Sequence, residues 1–323
     1  LRVRPQSFGV GEVEAVPFTE KGVAATVDCN SRYVYLDPYR GAMLAVAEAA
    51  RNLSCVGAEP LAVTDNLNFG SPEKPENYWQ LAEACRGIAD ACLVLGTPVT
   101  GGNVSLYNET QTGGIARAIY PTPTIGMIGL VEDITRVCTL DFKAAGDLVY
   151  LLGSAGSPTL GASEYLRVVH GLVAGLPPTI DLAVEKQVQQ ICRLGIERGL
   201  FRSAHDLAEG GLVVALAECC IAGELGVEVQ LPSSTSPAQH LFGEVASAVV
   251  VSVAPENRAA VEDWFATSLP DNWLLLGHVV PAVFRVVVAD GPHLSLPVTE
   301  LKSAWEQAIP RRMAHSTTSE NPR

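Results

Sequence analysis

The chain has 323 residues, of which 48% are hydrophobic and 18% charged. That length points to two domains of roughly 150 residues each, and so much apolar surface excludes a largely disordered chain. A net charge of −13 excludes DNA or RNA as a general partner, because a polyanion is repelled by an acidic surface. Mean hydropathy is +0.21, yet no run approaches the ~18 apolar residues of a membrane span. The best run, 211–223, is too short and contains Glu218. No signal peptide is visible, so no membrane partner and a cytoplasmic location are expected. The first residue is Leu1 rather than Met, which reads as a chain that begins inside a longer product. Eight cysteines occur without a C-x-x-C pair. Zinc and thioredoxin-like chemistry therefore have no support, and reduced thiols are expected.

Residues 1–21 hold Pro5, Pro17 and two glycines and read as a linker. An apolar strand-type run follows at 22–28, then a second short run, YVYL, at 33–36. Asp37-Pro38 turns the chain. Residues 41–56 are Ala- and Leu-rich with helical spacing, and Gly57 suits a cap. Residues 60–65, PLAVTD, read as a buried strand ending in Asp65. The stretch 66–76 reads as a loop free to move over that end. A helix is expected at 78–95, with Leu81, Cys85, Ile88 and Cys92 on one stripe, and a strand at 125–131. A boundary near 139–146 separates the halves. The second half opens with a strand at 147–152 and a Gly/Ser-rich turn. Helices are expected at 182–198 (weakened by Gly195) and 211–221, and strands at 247–253 and 284–288. A last helix at 301–309 is stopped by Pro310, and the polar end reads as a disordered tail. The expected fold class is α/β plus α+β. The expected domains are 22–140 and 145–290, with 291–323 as terminal helix and tail.

Three places could carry chemistry. Asp65 ends an apolar strand and can sit at a cleft mouth, although from spacing alone a capping aspartate is the better reading. Gly101-Gly102-Asn103-Val104-Ser105 is the second. Two glycines let backbone approach a ligand closely, and free N–H groups there can hold phosphate oxygens. The Asn103 carbonyl is a hard oxygen suited to Mg²⁺, and the Ser105 hydroxyl can donate to a substrate. The bland reading is an ordinary Gly-Gly-Asn turn. The third is 206–211, where a Gly pair opens an apolar helix whose free N–H groups could hold an anion. The bland reading there is a strand-to-helix turn capped by Asp206. His205 beside it reads as a packed or surface histidine, since no Ser or Cys nucleophile is coupled to it. P-loop, dinucleotide, zincin and nucleophile-elbow motifs are absent, so a nucleotide site must use another architecture.

The runs GAEPLAVTDNLNFGSPEKPE, PVTGGNVSLYNET and PTPTIGMIGLVED, followed by SAHDLAEGGLVVALAE and FGEVASAVVVSV, resemble the second half of the phosphoribosylformylglycinamidine synthases. The likeness runs from about residue 22 to 312. These enzymes belong to the aminoimidazole ribonucleotide synthetase superfamily. The resemblance implies a barrel-forming N-terminal α/β domain followed by an α+β domain, a pair that the full synthase carries twice. It implies ATP contacts at Asp65 and Gly102, a Mg²⁺ ligand at Asn103 and a substrate contact at Ser105. ATP would phosphorylate the amide oxygen of formylglycinamide ribonucleotide, and ammonia from a glutaminase would then displace phosphate. The implied catalytic histidine lies in the first pair of domains, so no catalytic residue is expected in this chain and the fragment alone should be inactive. Asp206, Glu209 and Glu244 are expected to be structural. Implied partners are the N-terminal half, a glutaminase subunit and a small bridging subunit. Two alternatives stay open: a stand-alone ATP-dependent kinase of the same superfamily, and a non-catalytic structural half.

Overall fold

The structure is a computed structural model that describes residues 2–3, 12–15, 20–153 and 157–316. The first domain runs β1 (Arg2–Val3), β2 (Glu12–Ala15), β3 (Gly22–Asp28), α1 (Ser31–Leu36), α2 (Pro38–Cys55), β4 (Glu59–Asn68), α3 (Pro75–Leu95), β5 (Val99–Ser105), β6 (Glu109–Thr112), β7 (Ile115–Ala118) and β8 (Thr122–Val131). Its sheet has the order β1-β2-β3-β8-β4-β5, with β6 and β7 as a separate hairpin. Strands β4 and β5 are parallel, and β8 runs antiparallel between β3 and β4. Much of the stretch expected to be linker lies outside the described residues. Within it, however, β2 pairs with β3 and extends the sheet.

Helices α2 and α3 cover one face of this sheet. Ala42, Val46, Ala49 and Leu53 of α2 meet Ala84, Ile88 and Ala91 of α3 over Val63, Leu67, Ile125 and Met127 of the strands. So many alanines let the helices lie close to the sheet without large side chains. The other face is open: Val23 and Ile128 are exposed and Val27 is 70% exposed. Helix α2 starts three residues earlier than its periodicity predicts. Pro38 fits its first turn, and Asp37 accepts the Arg40 N–H at 3.0 Å, which satisfies an otherwise orphaned donor. The YVYL run is helical rather than extended. Asn30 caps it by accepting from the N–H groups of Arg32 and Tyr33, and its β-type side chains yield to that cap and to burial of Tyr33 and Val34.

The second domain runs β9 (Leu148–Leu152), α4 (Glu164–His170), α5 (Leu182–Glu197), β10 (Phe201–Asp206), α6 (Gly211–Gly223), β11 (Gly226–Leu231), α7 (Pro237–Phe242), β12 (Val249–Val253), α8 (Arg258–Ser268), β13 (Trp273–Val280), β14 (Val283–Val288), β15 (His293–Pro297), α9 (Val298–Glu306) and α10 (Ala308–Ser316). Its sheet has the order β10-β12-β9-β13-β11-β14-β15. Helices α5 and α8 pack on one face through Val188, Ile191, Val261 and Phe265. Helices α6 and α9 pack on the other through Leu212, Leu216, Cys219 and Val298. Gly195 does not break α5. A Cβ there would come within 2.2 Å of the Phe201 ring, so the glycine lets β10 approach the helix. Pro310 does not stop the last helix either. It sits in the first turn of α10, where its missing N–H has no partner to lose. The expected disordered tail lies partly in α10, and residues 317–323 lie outside the described residues. All eight cysteines are free thiols, and among the described residues no helix is long and apolar enough to cross a membrane.

Candidate functional site

Strands β4 and β5 are joined by α3, and the C-terminal ends of such parallel strands are where open α/β sheets offer a ligand site. Their register sets Asp65 opposite Gly102, Asn66 opposite Asn103 and Asn68 opposite Ser105. The structure therefore brings all four candidate residues onto one adjacent strand pair. The stretch 101–105 is not a turn but the edge strand of the sheet, and β4 continues three residues past Asp65.

The pleat divides the four between two faces. Asp65 shares its parity with the buried Val63 and Leu67 and lies electrostatically close to Cys85 and Cys92 of α3. Gly102 pairs with it on that helix side. A Cβ at position 102 would lie 1.8 Å from Asp65 Oδ1 and 2.4 Å from the Asp65 carbonyl oxygen. Only glycine leaves room for that carboxylate. Burial raises the Asp65 carboxyl above its ordinary range. Asn103 and Ser105 are on the open side. Asn103 Nδ2 donates to Asn66 Oδ1 at 3.3 Å, which leaves the amide oxygen as the unused acceptor of this side chain. The Ser105 hydroxyl donates to Asn108 Oδ1 at 3.3 Å.

The loop after β4 is pinned rather than free. Phe69 N–H donates to the Ser105 carbonyl at 3.0 Å, Asn77 Nδ2 donates to the Ser71 carbonyl at 3.0 Å, and Lys74 pairs with Glu109 at 2.6 Å. Phe69 and Ser71 are buried. The composition of the loop signalled turns correctly but carried no information about these long-range anchors.

A second polar region lies where the domains meet. Arg51 of α2 and Glu185 of α5 pair at 2.8 Å with almost no exposure. Glu185 also accepts from Ser247 and Gln189, each at 2.7 Å. His205 Nε2 meets Glu218 at 2.8 Å, and Nδ1 lies 3.4 Å from Asp206. Burial alone would lower the His205 pKa, but the two carboxylates outweigh it and push it up to about 9. Its ring partners are carboxylates, so it is the packed histidine its sequence context suggests. The start of α6 is also filled from within. Glu244 accepts the Gly210 N–H at 2.9 Å and the Glu164 N–H at 2.8 Å, and takes the Tyr33 hydroxyl as well. The Gly210 N–H, at the helix end that could hold an anion, is taken by the protein's own carboxylate.

Beside this seam is an acidic cleft of about 320 Å³, lined by Asp28, Glu48, Asn52, His205, Asp206 and Glu209 among others. Burial raises Asp28 to about 7, against the opposing Thr26 hydroxyl bond, and raises Glu48 and Glu209 as well. Asp28, Glu48 and Asn52 were not singled out in the sequence. They come from a strand and a helix that no local motif links. Among the described residues, no group of three or more His, Cys, Asp or Glu side chains is placed to hold a metal ion.

The model for the N-terminal domain of AIR synthase related proteins matches residues 11–131, and that for the C-terminal domain matches residues 144–288. The phosphoribosylformylglycinamidine synthase subunit PurL of Gloeobacter violaceus is 67% identical, over 100% of this chain and 42% of its own length. The chain thus spans about two fifths of that curated relative. The solved Thermotoga maritima PurL complexed with FGAR superposes with a TM-score of 0.73 at 20% identity, over 91% of this chain and 48% of that one. The same protein complexed with ATP gives 0.70 at 21% identity, over 91% and 46%. At such identities this likeness speaks for the fold alone. The two matched domains follow each other in the order of the two sheets, and the chain belongs to the AIR synthase related proteins, carrying the N-terminal domain of that family followed by its C-terminal domain.

Proposed function

We propose that this chain is the second half of an ATP- and Mg²⁺-dependent phosphoribosylformylglycinamidine synthase, a carbon–nitrogen ligase of purine biosynthesis in the cytoplasm. The observation that carries this reading is the open β4–β5 edge, where the register of one strand pair gathers Asp65, Gly102, Asn103 and Ser105. A nucleotide lying across the edge would meet Asp65 and the bare Gly102 backbone on one side and Asn103 on the other. Ser105 is two residues, or about 7 Å, further along the strand, a separation that suits a second ligand beside the phosphates. The naming of the Gloeobacter violaceus relative supports the same activity.

The donor set fits a shared metal ion. Asn103 offers a hard amide oxygen on an exposed strand, and phosphate oxygens, water and the other half would complete the shell. When bound, Mg²⁺ neutralises charge on the transferring phosphoryl group. This chain's own part is to hold the nucleotide, leave the Asn103 amide oxygen as an unused acceptor and present Ser105 to formylglycinamide ribonucleotide. ATP phosphorylates the amide oxygen of that substrate, and ammonia displaces the phosphate. The remaining groups, including the catalytic histidine, come from an N-terminal half seated on the open sheet face around Val23, Val27 and Ile128. A glutaminase subunit, held by a small bridging subunit, delivers the ammonia. The 323 residues alone turn over nothing.

The test is Asn103→Ala in enzyme reassembled from both halves. The expected result is a tenfold or greater rise in the Mg²⁺ needed for half-maximal rate. An unchanged Mg²⁺ dependence would reject the role of Asn103. Turnover by the isolated chain would reject the two-half reading.

A further inference from the structure

We propose that Asn108 is the positioning residue for Ser105, fixing the direction in which that hydroxyl is offered. The proposal rests on the reading of Ser105 as a substrate contact. Ser105 ends β5, and the chain then reverses through Tyr107, which adopts the left-handed conformation at φ 61°. That conformation is uncommon for a large side chain and must be held by its surroundings. Asn108 is the residue that follows, and its main chain is held at both ends. Its N–H donates to the Phe69 carbonyl at 3.1 Å, and its carbonyl accepts from the Ile119 N–H at 3.0 Å.

The side chain is fixed just as firmly. Asn108 Nδ2 donates to the Ser105 carbonyl at 2.8 Å and to the Phe69 carbonyl at 3.1 Å. These two acceptors settle which end of the amide is nitrogen, because a reversed amide would set its oxygen against two carbonyls. Oδ1 is thereby left facing the Ser105 hydroxyl at 3.3 Å. Nδ2 also stands 3.2 Å from Ser105 Oγ, but its two hydrogens are taken by the carbonyls. The hydroxyl contact is long for an O–H···O bond. Ser105 is therefore steered rather than sequestered and can turn to a ligand at little cost. One side chain thus ties the end of β5 to the loop after β4 and sets the Ser105 rotamer.

The experiment is a double-mutant cycle in enzyme reassembled from both halves. Binding of formylglycinamide ribonucleotide is followed by calorimetry, with kcat and KM measured alongside. Ser105→Ala is expected to weaken substrate binding about 5–10-fold, the value of one hydrogen bond. Asn108→Ala should weaken it to a similar degree, with nucleotide affinity unchanged, and the double variant should be no weaker than either. Asn108→Ala also removes two bonds to backbone carbonyls, so Asn108→Asp serves as the second variant. It has the same shape and keeps an acceptor beside Ser105, while setting its other oxygen against the Phe69 and Ser105 carbonyls. It should lose thermal stability while holding substrate affinity within about threefold. Additive losses in the cycle would make Asn108 a structural residue and overturn the proposal. So would a Ser105→Ala defect that neither Asn108 variant reproduces, although the role of Ser105 would then stand. If Ser105→Ala binds substrate normally, the reading of Ser105 fails, and the positioning role fails with it.

Discussion

The seam between the domains and the edge of β5 are both rich in polar side chains, and they use them in opposite ways. At the seam, Arg51 faces Glu185 and Asp206, and His205 faces Asp206 and Glu218. Glu185 has both oxygens engaged. At the edge, Asn103 and Gly102 are exposed, and the Asn103 amide makes a contact of 3.3 Å, long for a hydrogen bond. A buried charge that loses its partner costs several kcal/mol. Exposed polar groups carry no such cost and can serve a ligand. The difference separates polarity that holds the domains together from polarity offered outward.

The largest test of this contrast is Arg51→Met, which leaves the Glu185 carboxylate buried and unmatched. It should cost about 3–5 kcal/mol, read from the midpoint of urea unfolding. Adding Glu185→Leu should recover much of the loss, and a loss below 1 kcal/mol for the single variant would show that the pair is not structural. Next in size is the effect of pH on the same seam. The folded pKa of His205, about 9, lies above its ordinary 6.5. Its stabilisation is therefore complete below pH 6.5 and is lost as pH rises through 9, a change on the order of 3 kcal/mol. Melting temperatures between pH 6 and 9.5 should fall more steeply for the native chain than for His205→Gln; parallel curves would remove His205 from the account.

On the edge the effects on stability shrink and those on binding grow. Gly102→Ala forces its Cβ against Asp65 and should cost about 1–3 kcal/mol. Nucleotide affinity, followed by calorimetry on reassembled enzyme, should fall at least tenfold. If it does not, Gly102 is no nucleotide contact. Smallest of all, Asn103→Ala should leave the unfolding midpoint within about 0.5 kcal/mol of the native value. A larger shift would mean that Asn103 belongs to the structural class after all.

Helical periodicity located α2, α3 and α5 because each buries one face over three or more turns, whereas α6 is apolar nearly all round and is marked by its apolar run. The gathering of Asp65, Gly102, Asn103 and Ser105 was implied by the family resemblance and not by the residues alone, because the sequence reads 101–105 as a glycine-rich turn rather than as the strand paired with β4. The division of the four between two faces was implicit in the same spacing, yet became visible only once 101–105 proved to be a strand. Contacts distant in sequence were not legible. Glu244 at the start of α6, Lys74 with Glu109, and Asp28 beside Asn52 join residues that share no local pattern. Strand β10 was hidden for another reason. Four of the six residues in its sequence, FRSAHD, are polar, and its charges are matched by Arg51 of α2, Glu218 of α6, Asp147 and Glu256.

Glu244 has a further consequence. A free anion seated at the start of a helix stabilises the fold only while its concentration exceeds its dissociation constant. A carboxylate on the same chain is always present at high effective concentration. By supplying that carboxylate itself, and by taking the Tyr33 hydroxyl from the first domain, the chain ties α1 to the start of α6 with a link that cannot dissociate into solution.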